Sequence, residues 1–190
     1  MLFLIGTGLL AQKSNPKMKE IFNGINLNGW VAPENNIWWT VKDGILTAQS
    51  GPERRETILW TEESYEDFIF QTDFKMGEGT VDSGIFLRDE NVQVQIGISG
   101  SLKRDMTASP YIPGKGYPVE AEKVKEVLNA TGWNTLKVEA RDNVVTVWVN
   151  DQKVMNYTVK KTVDQGPIGL QLHSGNFMII HFRDIKVTEL

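Results

Sequence analysis

Apolar and polar residues alternate with a period of two through Asp82–Ile98, DSGIFLRDENVQVQIGI, the period that sends successive strand side chains to opposite faces. The pattern predicts two strands, Gly84–Arg88 and Val92–Ile98, joined by a turn at Asp89-Glu90-Asn91. Gly84, Phe86 and Arg88 share one face, with Ile85 and Leu87 on the other. In the second strand Gln93 and Gln95 face one way, and Val92, Val94, Ile96 and Ile98 the other. A strand covered on both faces reads as a continuous apolar run. These do not, so the polar face is either solvated or a binding surface.

Short segments of the same kind recur along the chain. Trp39–Val41, Gly44–Ala48, Thr57–Trp60, Phe68–Met76, Thr135–Ala140, Val144–Asn150, Lys153–Thr158, Ile168–His173 and Met178–Val187 are rich in β-branched or aromatic residues and bounded by Gly, Asn, Asp or Pro. Lys42-Asp43-Gly44 is a turn signal, and Asn150-Asp151 reads as a tight hairpin. Helical spacing is confined to Glu120–Asn129, predicted as about three turns, and to one turn at Thr61–Tyr65 capped by Thr61. About eleven short strands with one or two short helices predict an all-β fold, an antiparallel β-sandwich or barrel. No repeat of propeller or solenoid length is present.

One stretch breaks the pattern. Gly97–Pro118 runs for 22 residues with four glycines and three prolines and has no period. Loops this long inside a compact domain are uncommon and often functional. It leaves directly from the Gln93/Gln95 strand, so it is expected to overhang the polar face as a wall or lid.

The 190 residues suit one domain, and 41% hydrophobic with 23% charged residues describes an ordinary globular chain. Net charge is −4 and the 20 Lys and Arg are scattered, which argues against a nucleic-acid partner. Without cysteine there are no disulfides, thiolate metal sites or thiol nucleophiles. MLFLIGTGLLAQ at the amino end is apolar from Leu2 to Leu10, too short for the ~20 residues of a membrane span. It reads as the remnant of a signal peptide over residues 1–12, followed by a polar linker at 13–19 and a single domain at 20–190. Export to the periplasm or the exterior is the expectation.

The candidate chemistry lies on the polar face. Gly169-Leu170-Gln171-Leu172-His173 repeats the opening alternation and adds Gln171 and His173 on one side. If the three strands are neighbours, Arg88, Gln93, Gln95, Gln171 and His173 form one patch. Amides, a guanidinium and an imidazole match sugar hydroxyls, and aromatic rings cover the C–H face of a pyranose. The aromatic candidates are Trp38, Trp39, Phe86, Tyr111, Tyr117, Trp133 and Trp148, with Lys103 and Arg104 of the long loop as further contacts. Each residue taken singly is more often the wet side of a half-buried sheet. His181 alternates with Ile179 and Arg183 and reads as structural. No G-x-S-x-G elbow or phosphate-binding glycine loop occurs, and two distant histidines do not make a zinc site. No cofactor is predicted, with a divalent metal left as an open alternative. Asp82, Asp89, Glu90, Asp105, Glu120 and Glu122 all fall in turns, the loop or its exit, so a facing carboxylate pair is missing from the central strands.

Ile21-Phe22-Asn23-Gly24, Leu27-Asn28-Gly29-Trp30, Val41 to Leu46, Asp67-Phe68, Ser83 to Arg88, Gly132-Trp133-Asn134, Gly169 to His173 and Phe182 to Ile185 together resemble the 3-keto-disaccharide hydrolase (glycosyl-hydrolase-like) family, from about Glu20 to Leu190. The resemblance implies a concanavalin-A-like, laminin-G-like jelly roll and export, as is common for members from Bacteroidetes. It also implies cleavage of glycosides oxidised to a 3-ketone, by hydrolysis or elimination. Many members carry Glu-x-Gln-x-x-Asp where this chain has Gln93-Val94-Gln95-Ile96-Gly97-Ile98, so both acids are replaced. A 3-ketone acidifies the C2 proton, and its removal needs one base and an oxyanion stabiliser. His173 is the expected base, since an imidazole's ordinary pKa of about 6.5 suits neutral pH, with Arg88 at the enolate. Gln93, Gln95, Gln171, Phe86, Lys103, Arg104, Tyr111, Trp39 and Trp148 are expected to hold an oligosaccharide or keto-sugar glycoside. The alternatives are a non-catalytic carbohydrate-binding module and a surface that contacts another protein.

Overall fold

The computed structural model describes residues 17–160 and 162–190. The candidate leader at 1–12 and residues 13–16 of the linker lie outside the described residues. The strands begin with β1 (Lys19–Glu20), β2 (Trp30–Val31), β3 (Trp39–Lys42), β4 (Ile45–Gln49), β5 (Thr57–Thr61), β6 (Phe68–Gly79) and β7 (Asp82–Leu87). They continue with β8 (Gln93–Gly97), β9 (Pro110–Tyr111), β10 (Asn134–Arg141), β11 (Val144–Val149), β12 (Gln152–Thr158), β13 (Ile168–Leu172) and β14 (Met178–Glu189).

Two antiparallel sheets face each other as a jelly-roll sandwich. The larger has the order β12-β11-β10-β6-β14-β4-β3, with β1 also paired to β14; the smaller has the order β2-β5-β13-β7-β8-β9. Alternation decides what fills the space between them. Phe68, Phe70 and Phe74 of β6, Leu136 and Val138 of β10, and Ile180 and Phe182 of β14 point inward from one side. Leu59, Ile85, Val94, Ile96, Leu170 and Leu172 meet them from the other. Each such side chain contributes about 1.5–3 kcal/mol on burial.

The tight turns follow their residues. Asn150 and Asp151 have φ of 48° and 66°, and Asp43 and Gly44 have 51° and 77°, the left-handed pair a two-residue hairpin requires. The predicted helix is cut to one turn, α1 (Val124–Val127). Lys123 sits at φ 59° and the Glu122 N–H bonds the Val154 carbonyl, so the chain arrives extended and cannot wind earlier. Thr61 caps no helix. It closes β5, and its hydroxyl donates to the Glu63 carbonyl at 2.7 Å.

The long segment after β8 is ordered. It turns at Gly97 and runs back along β8, with Met106 N–H to the Gly97 carbonyl at 3.0 Å and Ala108 N–H to the Gln95 carbonyl at 2.8 Å. Pro110 and Tyr111 then extend the smaller sheet as β9. That path stands the segment beside the outer face of β7, β8 and β13, where the predicted polar residues lie.

Candidate functional site

Register builds the polar face as rows across the smaller sheet. Tyr111, Gln93, Phe86, Gly169 and Trp60 are successive partners from β9 to β5. Gln95, Gly84, Gln171 and Ile58 form the next row. Asp82 pairs with Gly97 in the third, and the His173 N–H reaches the Asp82 carbonyl at 3.3 Å. Gln93, Gln95, Gln171 and His173 are therefore brought together. They line an open cleft of about 510 Å³ with Phe86, Tyr111, Tyr117, Asp82 and Glu56. Ser99, Ser101 and Pro113 of the long segment complete one wall, and Glu90 stands at the rim.

The amides of this face are held by one another. Gln93 donates to Gln171 Oε1, and the Gln171 amide donates to Glu56 Oε1. Gln95 donates to Asp82 Oδ1 at 2.8 Å and accepts from the Tyr117 hydroxyl at 3.0 Å. Every primary amide has two donor hydrogens and two acceptor lone pairs, so each keeps capacity for a ligand while its orientation is fixed. Gly84 makes this packing fit: a Cβ there would stand 2.2 Å from Gln93 Nε2. The missing side chain lets Gln93 fold across β7 towards Gln171.

Asp82 and His173 stand side by side in the cleft. Asp82 is 3% exposed, and its Oδ2 lies 3.7 Å from His173 Nδ1. His173 Nδ1 is 2.9 Å from the Ser174 carbonyl oxygen. A carbonyl can only accept, so Nδ1 carries a proton, and in the neutral imidazole the lone pair falls on Nε2. The His173 side chain is 40% exposed, so that lone pair is within reach of a ligand. Burial, first of all, pushes the Tyr117 phenol above its usual pKa, and the Asp82 charge adds to the effect, against a Ser99 hydrogen bond that lowers it. Tyr117 thus keeps its proton at neutral pH. The cleft holds three carboxylates and neither Lys nor Arg, which favours an uncharged polyhydroxylated ligand over an anion.

Several expected members of the site lie elsewhere. Arg88 follows the end of β7 with φ 69°, which breaks the alternation and turns its side chain away from the cleft. Its guanidinium is buried, donating to the Glu66 and Asp142 carbonyls at 2.6 and 2.8 Å and to Asp67 Oδ1 at 3.0 Å. Trp39 is a core residue whose indole N–H bonds Thr57 Oγ1 at 2.9 Å. Trp148 belongs to β11 of the other sheet, under Lys137 Nζ at 4.6 Å from its ring centroid. Lys103 is exposed on the long segment, and Arg104 pairs with Glu120 away from the cleft. Three residues were missed, the first being Glu56, which lines the cleft and accepts from Gln171. Asp82 is a strand residue of β7, not a turn acid, and Trp60 stacks on Phe86 with centroids 5.7 Å apart. Extending the Gly84–Phe86 parity back by two positions finds Asp82.

The model of the 3-keto-alpha-glucoside-1,2-lyase-like domain family matches residues 17–188. The chain belongs to this family. No curated protein matches it in sequence. Among solved structures, a candidate glycosyl hydrolase from Parabacteroides distasonis ATCC 8503 is 22% identical, with TM-score 0.66, covering 92% of this chain and 100% of that one. A second from the same organism is 18% identical, with TM-score 0.67 and coverage of 91% and 94%. The carbohydrate binding module CBM66 from Bacillus subtilis is 15% identical, with TM-score 0.56 and coverage of 85% and 96%. At such identities these likenesses establish the fold, a jelly roll shared by glycosyl-hydrolase-like and carbohydrate-binding proteins. At the two positions where the resemblance led us to expect acids, Gln93 joins the amide chain and Ile98 is half-buried, its N–H on the Val81 carbonyl at 2.7 Å. Among the described residues the buried carboxylate is Asp82, on the neighbouring strand.

Proposed function

We propose that the cleft binds a glycoside whose ring carries a 3-ketone and that the chain cleaves it by β-elimination. The observation that carries the proposal is the placement of His173, with a fixed tautomer, a free Nε2 and a buried carboxylate 3.7 Å behind Nδ1. Nε2 takes the C2 proton, which the neighbouring ketone acidifies. The C2–H electrons enter the C2–C3 bond and the ketone's π electrons move onto its oxygen, giving an enolate. As the ketone re-forms, the C2–C3 π electrons make the C1–C2 double bond, and the C1–O bond breaks with its electrons going to the leaving oxygen. That oxygen then takes back a proton. Asp82 favours the imidazolium that exists between the two transfers. Tyr117 keeps its one hydroxyl proton, now given to Gln95 Oε1, and by turning that O–H to the enolate oxygen it takes the role expected of Arg88. Gln93, Gln95 and Gln171 hold hydroxyls, and Phe86 and Tyr111 cover the ring. One base suffices for this route, so it does not need the carboxylate pair of ordinary glycosidases.

The test is a comparison of a 3-keto-glucoside with its unoxidised parent. Turnover of the first alone, reduced at least about a hundredfold in His173→Ala, is the expected result. Equal rates for parent and variant would remove His173 from the chemistry. A binding-only role has one observation in its favour: amides, not acids, occupy the centre of the face. Calorimetric binding of an unoxidised oligosaccharide, with no turnover of any keto-sugar, would make that reading the better one.

A further inference from the structure

The cleft does not end at Glu56 and Glu90. Both residues also line a second groove of about 490 Å³ over β5 and β2 of the same sheet. The lining changes there from amides to apolar groups, with Trp60, Trp38, Ile58, Val31 and Pro33 forming its walls. A third depression of about 360 Å³ shares Trp38 and Arg55 and adds Ile37 and Pro52. Val31 is 53% exposed and Ile37 is 62% exposed, so the apolar track is open to a ligand.

Gly169 joins the two grooves. A Cβ at Gly169 would stand 2.6 Å from Trp60 Cζ3, so only a bare backbone lets the indole lie across β13. Lying there it reaches Phe86, with the ring planes 30° apart. Phe86 belongs to the polar cleft and Trp60 to the apolar groove, so one aromatic shelf runs from one to the other. Two of the three charged groups along that shelf are already engaged, and the third, Glu90, is exposed where the two grooves meet. Arg55 pairs with Glu53, and Glu56 accepts from Gln171. A second sugar would find few partners for its hydroxyls there. A flat apolar group would cover Trp60 and Trp38 and displace water from both.

We infer that this groove is the leaving-group subsite, and that the chain takes glycosides of aromatic or similarly flat, apolar aglycones in preference to disaccharides. The inference rests on the proposed glycoside cleavage for its chemistry, but the subsite can be tested by binding alone. Calorimetry on the full chain compares methyl glucoside, phenyl glucoside and a glucosyl-glucose disaccharide, all unoxidised and so not turned over by the proposed route. Phenyl glucoside is expected to bind about tenfold more tightly than either of the others. Trp60→Ala is expected to bring the phenyl-to-methyl ratio close to one. Val31→Asp, a change at an exposed edge position, puts a charge in the groove without touching the core and should also lower the ratio severalfold. Equal binding of the three ligands, tighter binding of the disaccharide, or a phenyl preference that survives both substitutions overturns the inference. Phenyl preference without turnover of any 3-keto-glycoside leaves the subsite standing and removes the elimination reading. Absence of binding by all three overturns the subsite and leaves the elimination reading to its own turnover test.

Discussion

Replacing Arg88 by alanine separates a structural arginine from a catalytic one. The guanidinium is 5% exposed and donates to the Glu66 carbonyl at 2.6 Å, the Asp142 carbonyl at 2.8 Å, Asp67 Oδ1 at 3.0 Å and the Ala140 carbonyl at 3.5 Å. It also stands 5.9 Å from the centroid of the Phe68 ring. Truncation leaves those acceptors facing a cavity, and breaking a buried ion pair costs about 3–5 kcal/mol. Asp67 is 26% exposed and also accepts from the Asp142 N–H at 2.7 Å, so the lower end, about 3 kcal/mol, is the appropriate figure. For a chain of this size that is a fall in Tm of about 6–12 °C. Arg88→Lys should recover little, because a single ammonium cannot reproduce the fork. Thermal unfolding followed by circular dichroism measures the loss. On the same samples, kcat/KM toward a 3-keto-glucoside should change less than about threefold below the melting range, whereas loss of an oxyanion donor costs about 10²–10³. A variant with unchanged Tm and a hundredfold loss of turnover would refute the placement of Arg88 outside the chemistry.

Three further outcomes are expected. Gly84→Ala forces Gln93 off Gln171, since the new methyl would meet Gln93 Nε2 at 2.2 Å; calorimetry should show weaker glycoside binding, and melting a loss of about 1–3 kcal/mol. Gly97→Ala should destabilise by about 3 kcal/mol, because φ is +89° and a Cβ would stand 2.3 Å from the Val81 carbonyl oxygen; an unchanged Tm would contradict the tight turn after β8. Burial, and then Lys75, lowers the His181 pKa below its ordinary 6.5, so the unfolded chain binds that proton more readily and stability falls as pH drops through about 6.5. His181→Gln should therefore lose less Tm than the parent between pH 7 and pH 5; an identical loss would exclude this contribution.

The parity of Gly84, Phe86, Gln93, Gln95, Gln171 and His173 was legible because these residues sit in regular strands, where spacing alone fixes the face. Arg88 was misread because one left-handed residue after β7 cancels the alternation, and arginine carries no sequence signal for positive φ. Asp82 was read as a turn residue because Asp usually marks turns, yet pairing with Gly97 draws it into β7. Trp60 escaped because its reach depends on Gly169, a neighbour more than a hundred residues away in sequence. Trp39 and Trp148 show the converse: a tryptophan between strand residues serves a core or the far sheet as readily as a ligand. β1, β2 and β9 are two residues each, too short to have a period. The sandwich itself was legible from its many short strands and from the family resemblance, which the match over residues 17–188 supports.

The central claim is that cleavage runs through loss of the C2 proton to His173. Methyl 3-keto-glucoside incubated with the protein in deuterium oxide and followed by proton NMR at early times tests it directly. The account requires methanol release in step with loss of the C2 proton signal, and neither in His173→Ala. Methanol release with the C2 proton retained in the sugar product would contradict it.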